Sequence, residues 1–233
     1  MNELHEKILA YKNSTDPLSH LTLPIYSNEG AIIGELSCLD RGTYLEPGII
    51  GSLVRWRQEN MQWFLTQFEA THQKTRNWIE NDIFPVPDRI MFLLYAYERG
   101  ENKLIGQNGL THITENGAES DNGMRGNPGG AKGFMHYMEI ALMCWMFGKL
   151  GMNTMNLWFV SHNEPTLKWH LSTGMIPGRV LPLYWKKVGD DVKYSIDPPG
   201  ERAAFDYFEV VIDKAMLLEK HPWVTKYYEG MGG

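Results

Sequence analysis

The stretch Arg125-Gly126-Asn127-Pro128-Gly129-Gly130-Ala131-Lys132-Gly133 is where this sequence first suggests chemistry. Glycine lets backbone amides turn toward a ligand, and a helix beginning just beyond adds partial positive charge at its N-terminus. The run is a candidate anion site; a plain flexible loop is the alternative that composition leaves open. It holds no Gly-Lys-Ser/Thr, which separates it from a P-loop, and no G-x-G-x-x-G spacing, which separates it from a dinucleotide-binding turn.

Groups suited to proton transfer lie around it. Asp121, Asn122 and Arg125 stand before or within the run, although Asp-Asn-Gly is also an ordinary turn former. Glu139 sits in an apolar segment where carboxylates are rarely buried unpaired, so it either faces a cleft or pairs with something. His170 follows Asn163 by seven residues, two helical turns, so both project from one face. An imidazole there is tuned to give or take a proton near neutral pH. A packing or surface histidine, and a simple helix N-cap at Asn163, are the alternatives. His112 and His136 are further proton carriers. Trp56-Arg57-Gln58-Glu59-Asn60-Met61-Gln62-Trp63-Phe64 joins rings to bidentate polar groups. That suits a sugar face, a nucleobase or a peptide terminus, with Arg57 and Glu59 free to reach a ligand. The same pattern also reads as an amphipathic helix that buries Trp56, Trp63 and Phe64. Neither His-Glu-x-x-His nor Gly-x-Ser-x-Gly occurs, so no metal site and no serine acyl-enzyme are expected.

Strands and helices must hold these residues. Leu4, Ile8, Leu9 and Tyr11 mark a short amphipathic segment that ends in a loop at Asp16-Pro17. Residues 31–36 are strand-like, and β-branched content reads residues 48–54 as a buried strand. Helices follow near 58–68 and 72–82, stopped by Pro85 and Pro87. Residues 89–97 and 103–113 form a hairpin about a turn at 99–102. A glycine-rich stretch from Gly117 to Gly133 opens into a helix from about Phe134 to Leu150, apolar almost all round and therefore buried. A strand at 155–160, a short helix from Glu164 to Ser172 stopped by Gly174, and a strand at 205–212 complete the reading. Interleaved strands and helices imply an α/β layered fold.

The 233 residues are enough for one large domain or one domain with appendages, and 43% hydrophobic content is ordinary for a globular chain. A net charge of −6 argues against nucleic acid as the main partner but leaves room for one anionic cofactor. No apolar run approaches the ~20 residues that span a bilayer. The segment Met1–Lys7 has neither a basic start nor an apolar secretory core, so a cytoplasmic protein without a membrane partner is expected. Cys38 and Cys144 give no disulfide framework and no ligand spacing.

Ser161-His162-Asn163-Glu164-Pro165-Thr166-Leu167-Lys168-Trp169-His170-Leu171-Ser172-Thr173-Gly174-Met175 resembles the Asn-x-x-(small)-x-x-x-(Tyr)-x-x-x-Gly-Phe pattern of the GNAT superfamily of acyl-CoA N-acyltransferases, with Asn163, Gly174 and Met175 in register. Counting back along the preceding helix aligns Gly130-Ala131-Lys132-Gly133-Phe134-Met135 with that family's Arg/Gln-x-x-Gly-x-Gly/Ala pyrophosphate loop. Trp56–Asn60 and Thr75–Ile79 look like its first two helices. The resemblance covers residues 50–175 and extends to the strand at 205–212. Three positions depart from it: Gly130 replaces Arg or Gln, Met135 replaces a small residue, and His170 replaces the frequent Tyr.

The resemblance implies a mixed, mostly antiparallel sheet with helices on both faces and a splay between the family's fourth and fifth strands. Residues 36–215 would form the acyltransferase domain, with 1–35 an N-terminal appendage and 216–233 a C-terminal tail. It also implies direct transfer from acyl-CoA to an amine. Gly130, Ala131, Lys132, Gly133, Phe134 and Met135 would then face the pyrophosphate, and Asn163 the pantetheine arm. His170 would protonate the departing thiolate, Asp121 would accept the amine proton, and Glu139 joins them as a third catalytic candidate. Arg57, Glu59, Asn122 and Arg125 would line the acceptor side. Residues 119–126 are similar to a stretch in GNAT-like enzymes that acylate nucleotide-linked amino sugars, so such a sugar is the expected acceptor. A ribosomal-protein-type N-terminal acetyltransferase and a catalytically silent acyl-CoA sensor are the competing readings, with a homodimer as the candidate assembly.

Overall fold

A computed structural model describes residues 2–232. The elements run α1 (Glu3–Asn13), β1 (Thr22–Tyr26), β2 (Ile32–Cys38), α2 (Ile49–Glu59), β3 (Thr66–Gln67), α3 (His72–Trp78), β4 (Ile90–Glu98) and β5 (Glu101–Thr111). They continue with β6 (Gly117–Arg125), α4 (Phe134–Cys144), β7 (Thr154–Val160), α5 (Glu164–Ser172), β8 (Ile176–Val188), β9 (Asp191–Ser195), β10 (Glu201–Asp213), α6 (Lys214–Lys220) and α7 (Val224–Tyr227). The strands join one sheet in the order β1-β2-β4-β5-β6-β7-β10-β8-β9-β3. Every neighbouring pair is antiparallel except β6 with β7. This is the mixed, mostly antiparallel sheet that the sequence led us to expect.

Alternation along β4 explains the layers. Ile90, Phe92 and Leu94 enter one core with Phe134, Met138 and Leu142 of α4, whereas Met91 and Leu93 enter another with Leu53 and Trp56 of α2. Successive side chains of a strand point to opposite faces, so helices cover both. Ile8 of α1 and Ile25 of β1 belong to the α4 core, as do Leu217 and Val224 near the carboxyl end. The domain limits expected after residues 35 and 215 fall inside β2 and α6.

Three local readings need correction. Residues 48–54 open α2 rather than forming a strand: Ile49, Ile50, Leu53, Val54 and Trp56 are the buried set, which is a helical stripe. β-branched content misled there, because burial on one helix face overrides the strand preference of isoleucine. The helix expected over 58–68 stops at Asn60, whose Nδ2 donates to the Trp56 carbonyl at 2.9 Å. A 3₁₀ turn (Met61–Trp63) and the short β3 replace it. The first half of the glycine-rich stretch is β6, since its backbone groups are taken by β5 and β7. The β8–β9 hairpin carries no expectation from the sequence.

Candidate active site

The single parallel pair creates an opening. Its register runs from Gly117 against Thr154 to Ser120 against Leu157 and ends there. β6 nevertheless continues to Arg125 and β7 to Val160, so the two strands diverge. Their facing edges beyond the ladder carry backbone N–H and C=O groups without strand partners, which an extended arm can pair with. A cavity of about 970 Å³ occupies this gap. Leu53, Arg57 and Trp78 line it from the α2–α3 face of the sheet, and Met135, Trp169 and His170 from the α4–α5 face.

Asp121 lies one residue past the end of the β6–β7 ladder and borders the cavity. The β5–β6 register shifts between Gln107 and Gly109, leaving Asn122 in the left-handed region at φ 55°. Asp121 steadies this bulge: its Oδ1 accepts from the Asn122 amide at 2.8 Å and its Oδ2 from Asn122 Nδ2 at 2.6 Å. Turn chemistry and a cavity-facing carboxylate therefore coexist in one residue. Burial pushes the Asp121 carboxyl above its ordinary range, opposed in part by Arg89, the Asn122 amide and Arg57. Glu119, two residues earlier on the same cavity wall, is raised chiefly by burial as well.

His170 approaches from α5. Its ring is 3% exposed and borders the cavity, while Nδ1 lies 2.6 Å from Oε1 of Glu139, itself fully buried on α4. The two atoms touch without hydrogen-bond alignment, and neither carboxylate oxygen has a hydrogen-bond donor among the described residues. Glu139 thus pairs with something rather than facing a cleft. Asn163 caps α5, its side chain accepting from the Thr166 amide at 3.3 Å, and it also lines the cavity. His112 and His136 are not among the cavity-lining residues; His112 is 3.6 Å from Glu119, and His136 Nδ1 is 3.2 Å from Ser172 Oγ.

Arg57 is a half-buried cation on the cavity wall. Its guanidinium lies 3.5 Å from the Phe64 ring centroid and donates to the Thr66 carbonyl at 2.8 Å, while Nε is buried without a partner. Burial lowers it from 12.5 to about 10, with Asp121 acting in the opposite direction. Glu59 does not join it. Two residues along a helix is a rotation of about 200°, so Glu59 faces solvent and lies 3.9 Å from Arg55. Arg125 borders the cavity, yet its guanidinium donates to the carbonyls of Asn127 and Gly129 and so ties down the loop. Asn122 borders it as the bulge residue. Sequence reasoning missed Lys74, Arg89, Trp158 and Tyr207, which complete this wall. No motif marks them, although ring-rich strands at 157–159 and 205–208 were a usable signal.

The candidate phosphate loop is outside this cavity except for Met135. Gly133, at φ 78°, turns the chain into α4. Two of the expected contacts are otherwise engaged. The Gly130 amide donates to the Glu98 carboxylate, and the Phe134 amide donates to the Ala131 carbonyl at 3.0 Å. The Phe134 ring is core, fully buried against β2. Ala131, Lys132 and Gly133 are exposed and Met135 half-buried, so these four are the set available to an anion at the helix N-terminus. The open helix end fits a diphosphate.

No family model and no curated protein matches the sequence. Solved structures do. A ribosomal L7/L12 α-N-protein acetyltransferase, RimL, in complex with coenzyme A superposes with TM-score 0.60 at 12% identity, over 83% of this chain and 98% of that one. FdhC, a nucleotide-linked sugar GNAT, gives 0.58 at 12% identity over 89% and 99%. A spermidine N-acetyltransferase from Vibrio cholerae, in complex with CoA and spermine, gives 0.55 at 15% identity over 75% and 95%. The chain has the GNAT fold.

Proposed function

We propose that this chain is an acyl-CoA-dependent N-acyltransferase whose acceptor is a nucleotide-linked amino sugar. One observation carries the reading: a cavity through the β6–β7 splay with a raised carboxylate, Asp121, and an imidazole, His170, among its lining groups. Asp121 takes up the proton of the attacking amine, and burial makes it a better base at neutral pH. His170 gives a proton to the departing thiolate. The free strand edges and the Asn163 side chain hold the pantetheine arm, and Ala131, Lys132, Gly133 and Met135 receive the pyrophosphate at the α4 N-terminus. The acyl-CoA supplies the activated thioester.

The acceptor class follows from charge and shape. Four cations line the cavity, Arg57, Lys74, Arg89 and Arg125, against the carboxylates Glu119 and Asp121. In a chain of net charge −6, that local excess favours an anionic acceptor. Trp63, Phe64 and Trp158 offer flat faces for a sugar or base. The fold likeness to a nucleotide-linked sugar GNAT, over most of both chains, agrees with this. Measuring free thiol release from acetyl-CoA with a panel of amines tests the reading. The expected result is fastest release with nucleotide-linked amino sugars. Preference for peptide N-termini overturns the acceptor assignment, and no release with any amine overturns the transferase.

A further inference from the structure

A carboxylate sealed inside a protein without donors is costly, and the usual resolution is a positive partner or a retained proton. Glu139 is fully buried on α4, between Met138 and Ile140, and His170 Nδ1 at 2.6 Å is its close polar neighbour. If His170 were neutral and Glu139 ionised, the pair would hold an uncompensated negative charge in a dry site. A proton on Glu139 or on the second ring nitrogen cancels that charge, and of the two groups the imidazole is ordinarily the stronger base. Protonating the ring also leaves an Nε2–H away from Glu139: Nδ1 is a sealed atom and Nε2 is not, and His170 lines the cavity.

We infer that Glu139 is a positioning residue that keeps His170 doubly protonated, so that Nε2–H stands ready as the proton donor. This rests on the transferase reading for its use but not for its test. In the transfer, the amine nitrogen forms the new C–N bond and the C–S bond breaks. The amine proton goes to Asp121, the sulfur takes the Nε2 proton, and solvent exchange restores both residues. His170 is set by other surroundings too. Phe159 of β7 and Trp169 pack on its ring, at centroid distances of 6.0 and 4.3 Å. The further titratable groups near the pair are His136 on α4, and His221 and Lys220 at the end of α6, with Asp121 on the cavity wall. His136 and His221 are both lowered chiefly by burial. Neither supplies the positive charge that Glu139 needs.

The experiment reads the ring nitrogens of His170 by ¹⁵N NMR in the full chain at about pH 8, above the ordinary imidazole range. Both nitrogens protonated in the wild type, and one in Glu139→Gln, is the expected result. A neutral ring in the wild type overturns the inference even if Glu139→Gln fails to fold. Kinetics then separate the dyad from the function it serves. Glu139→Gln should lower kcat for thiol release at least tenfold with KM for acetyl-CoA changed less than threefold, and it should bring the alkaline fall of kcat to lower pH. In a His170→Gln background the same substitution should add no further loss, because coupled residues are non-additive. A full additional loss there, or an unchanged pH profile, overturns the positioning role. A doubly protonated ring in a chain that releases no thiol leaves the dyad standing and removes the transferase reading.

Discussion

Arg57→Met separates what a half-buried cation does for the fold from what it does for an acceptor. Burial brings the guanidinium from 12.5 to about 10, a cost to its charged form of about 3 kcal/mol. Two contacts offset this. The hydrogen bond to the Thr66 carbonyl contributes about 1.5–3 kcal/mol, and the stack on Phe64 at 3.5 Å about 1 kcal/mol or more. Methionine removes all three effects and refills the volume, so stability should change by about 1 kcal/mol or less, a Tm shift of roughly 2–4 °C. Arg57 lines the cavity and its guanidinium makes one hydrogen bond within the protein, which leaves other N–H donors for a ligand anion. Losing a charge-assisted contact of about 1.5–3 kcal/mol lowers kcat/KM by roughly 10- to 150-fold. That loss should fall on the nucleotide-linked amino sugar and spare the free amino sugar, which has no phosphate to hold. Arg57→Lys keeps the charge but not the planar fork and should lie between. The measurement pairs thermal denaturation with kcat/KM for both acceptors. An equal loss on both acceptors, or a Tm drop beyond about 8 °C with an unchanged ratio, would make Arg57 a strut and refute the reasoning.

Three further outcomes are expected. Gly133→Asp puts a side chain and a negative charge at a φ of 78° beside the helix N-terminus, and should weaken CoA binding more than tenfold, about 1.4 kcal/mol, by calorimetry; unchanged affinity in a folded variant removes the loop assignment. Asp121→Asn should lower kcat by about 10²-fold or more for both acceptors alike. A carboxyl raised by burial contributes stability that is full below its unfolded value and lost as pH rises through its folded value, so this variant should also melt no lower than the wild type above that range. Cys38 and Cys144 are buried thiols, both pushed upward by burial, and intact-protein mass after incubation with acetyl-CoA should show no acyl adduct; an adduct abolished by Cys144→Ala would refute direct transfer.

What the sequence disclosed follows from which signals are local. α4 was legible because its apolar run is long, the helical path continuing as a π-helical segment (Trp145–Lys149) up to Leu150 and Gly151, and α5 because Asn163 and Gly174 bracket it. Residues 49–54 were misread because Ile49 and Ile50 suit either a strand or a helix, and only the contact with Met91 and Leu93 decides. The β8–β9 hairpin did carry a local signal, Gly189-Asp190 between ring-rich segments, that a periodicity count detects. The site divides the same way. Asn163 is both a cap and a cavity-lining residue, so its two readings are compatible. Glu59 failed because sharing a segment with Arg57 is not sharing a helix face. The pairing of Glu139 with His170 spans two helices and a strand, and no pattern in one sequence fixes which buried acid meets which imidazole.

The site residues also explain why this chain can hold costly groups. Arg57 and Asp121 are shifted by burial and Glu139 is sealed without a hydrogen-bond donor among the described residues, while the apolar side chains of the two cores come from other positions. Ile90, Phe92 and Leu94 with α4, and Met91 and Leu93 with α2, stabilise the two faces of the sheet independently of the gap between β6 and β7. The gap exists because a parallel pair ends at Ser120 and Leu157 while both strands run on. Rigid strands thus hold Asp121 on one wall and present the other to His170, which a separate helix carries. In the proposed transfer, amine and thiolate would meet different proton partners in different surroundings: Asp121 is raised by burial and opposed by Arg89 and Arg57, and His170 lies against Glu139. A single shared base would have to hold both tunings at once. Substitutions at these positions should therefore change turnover and its pH dependence far more than they change folding.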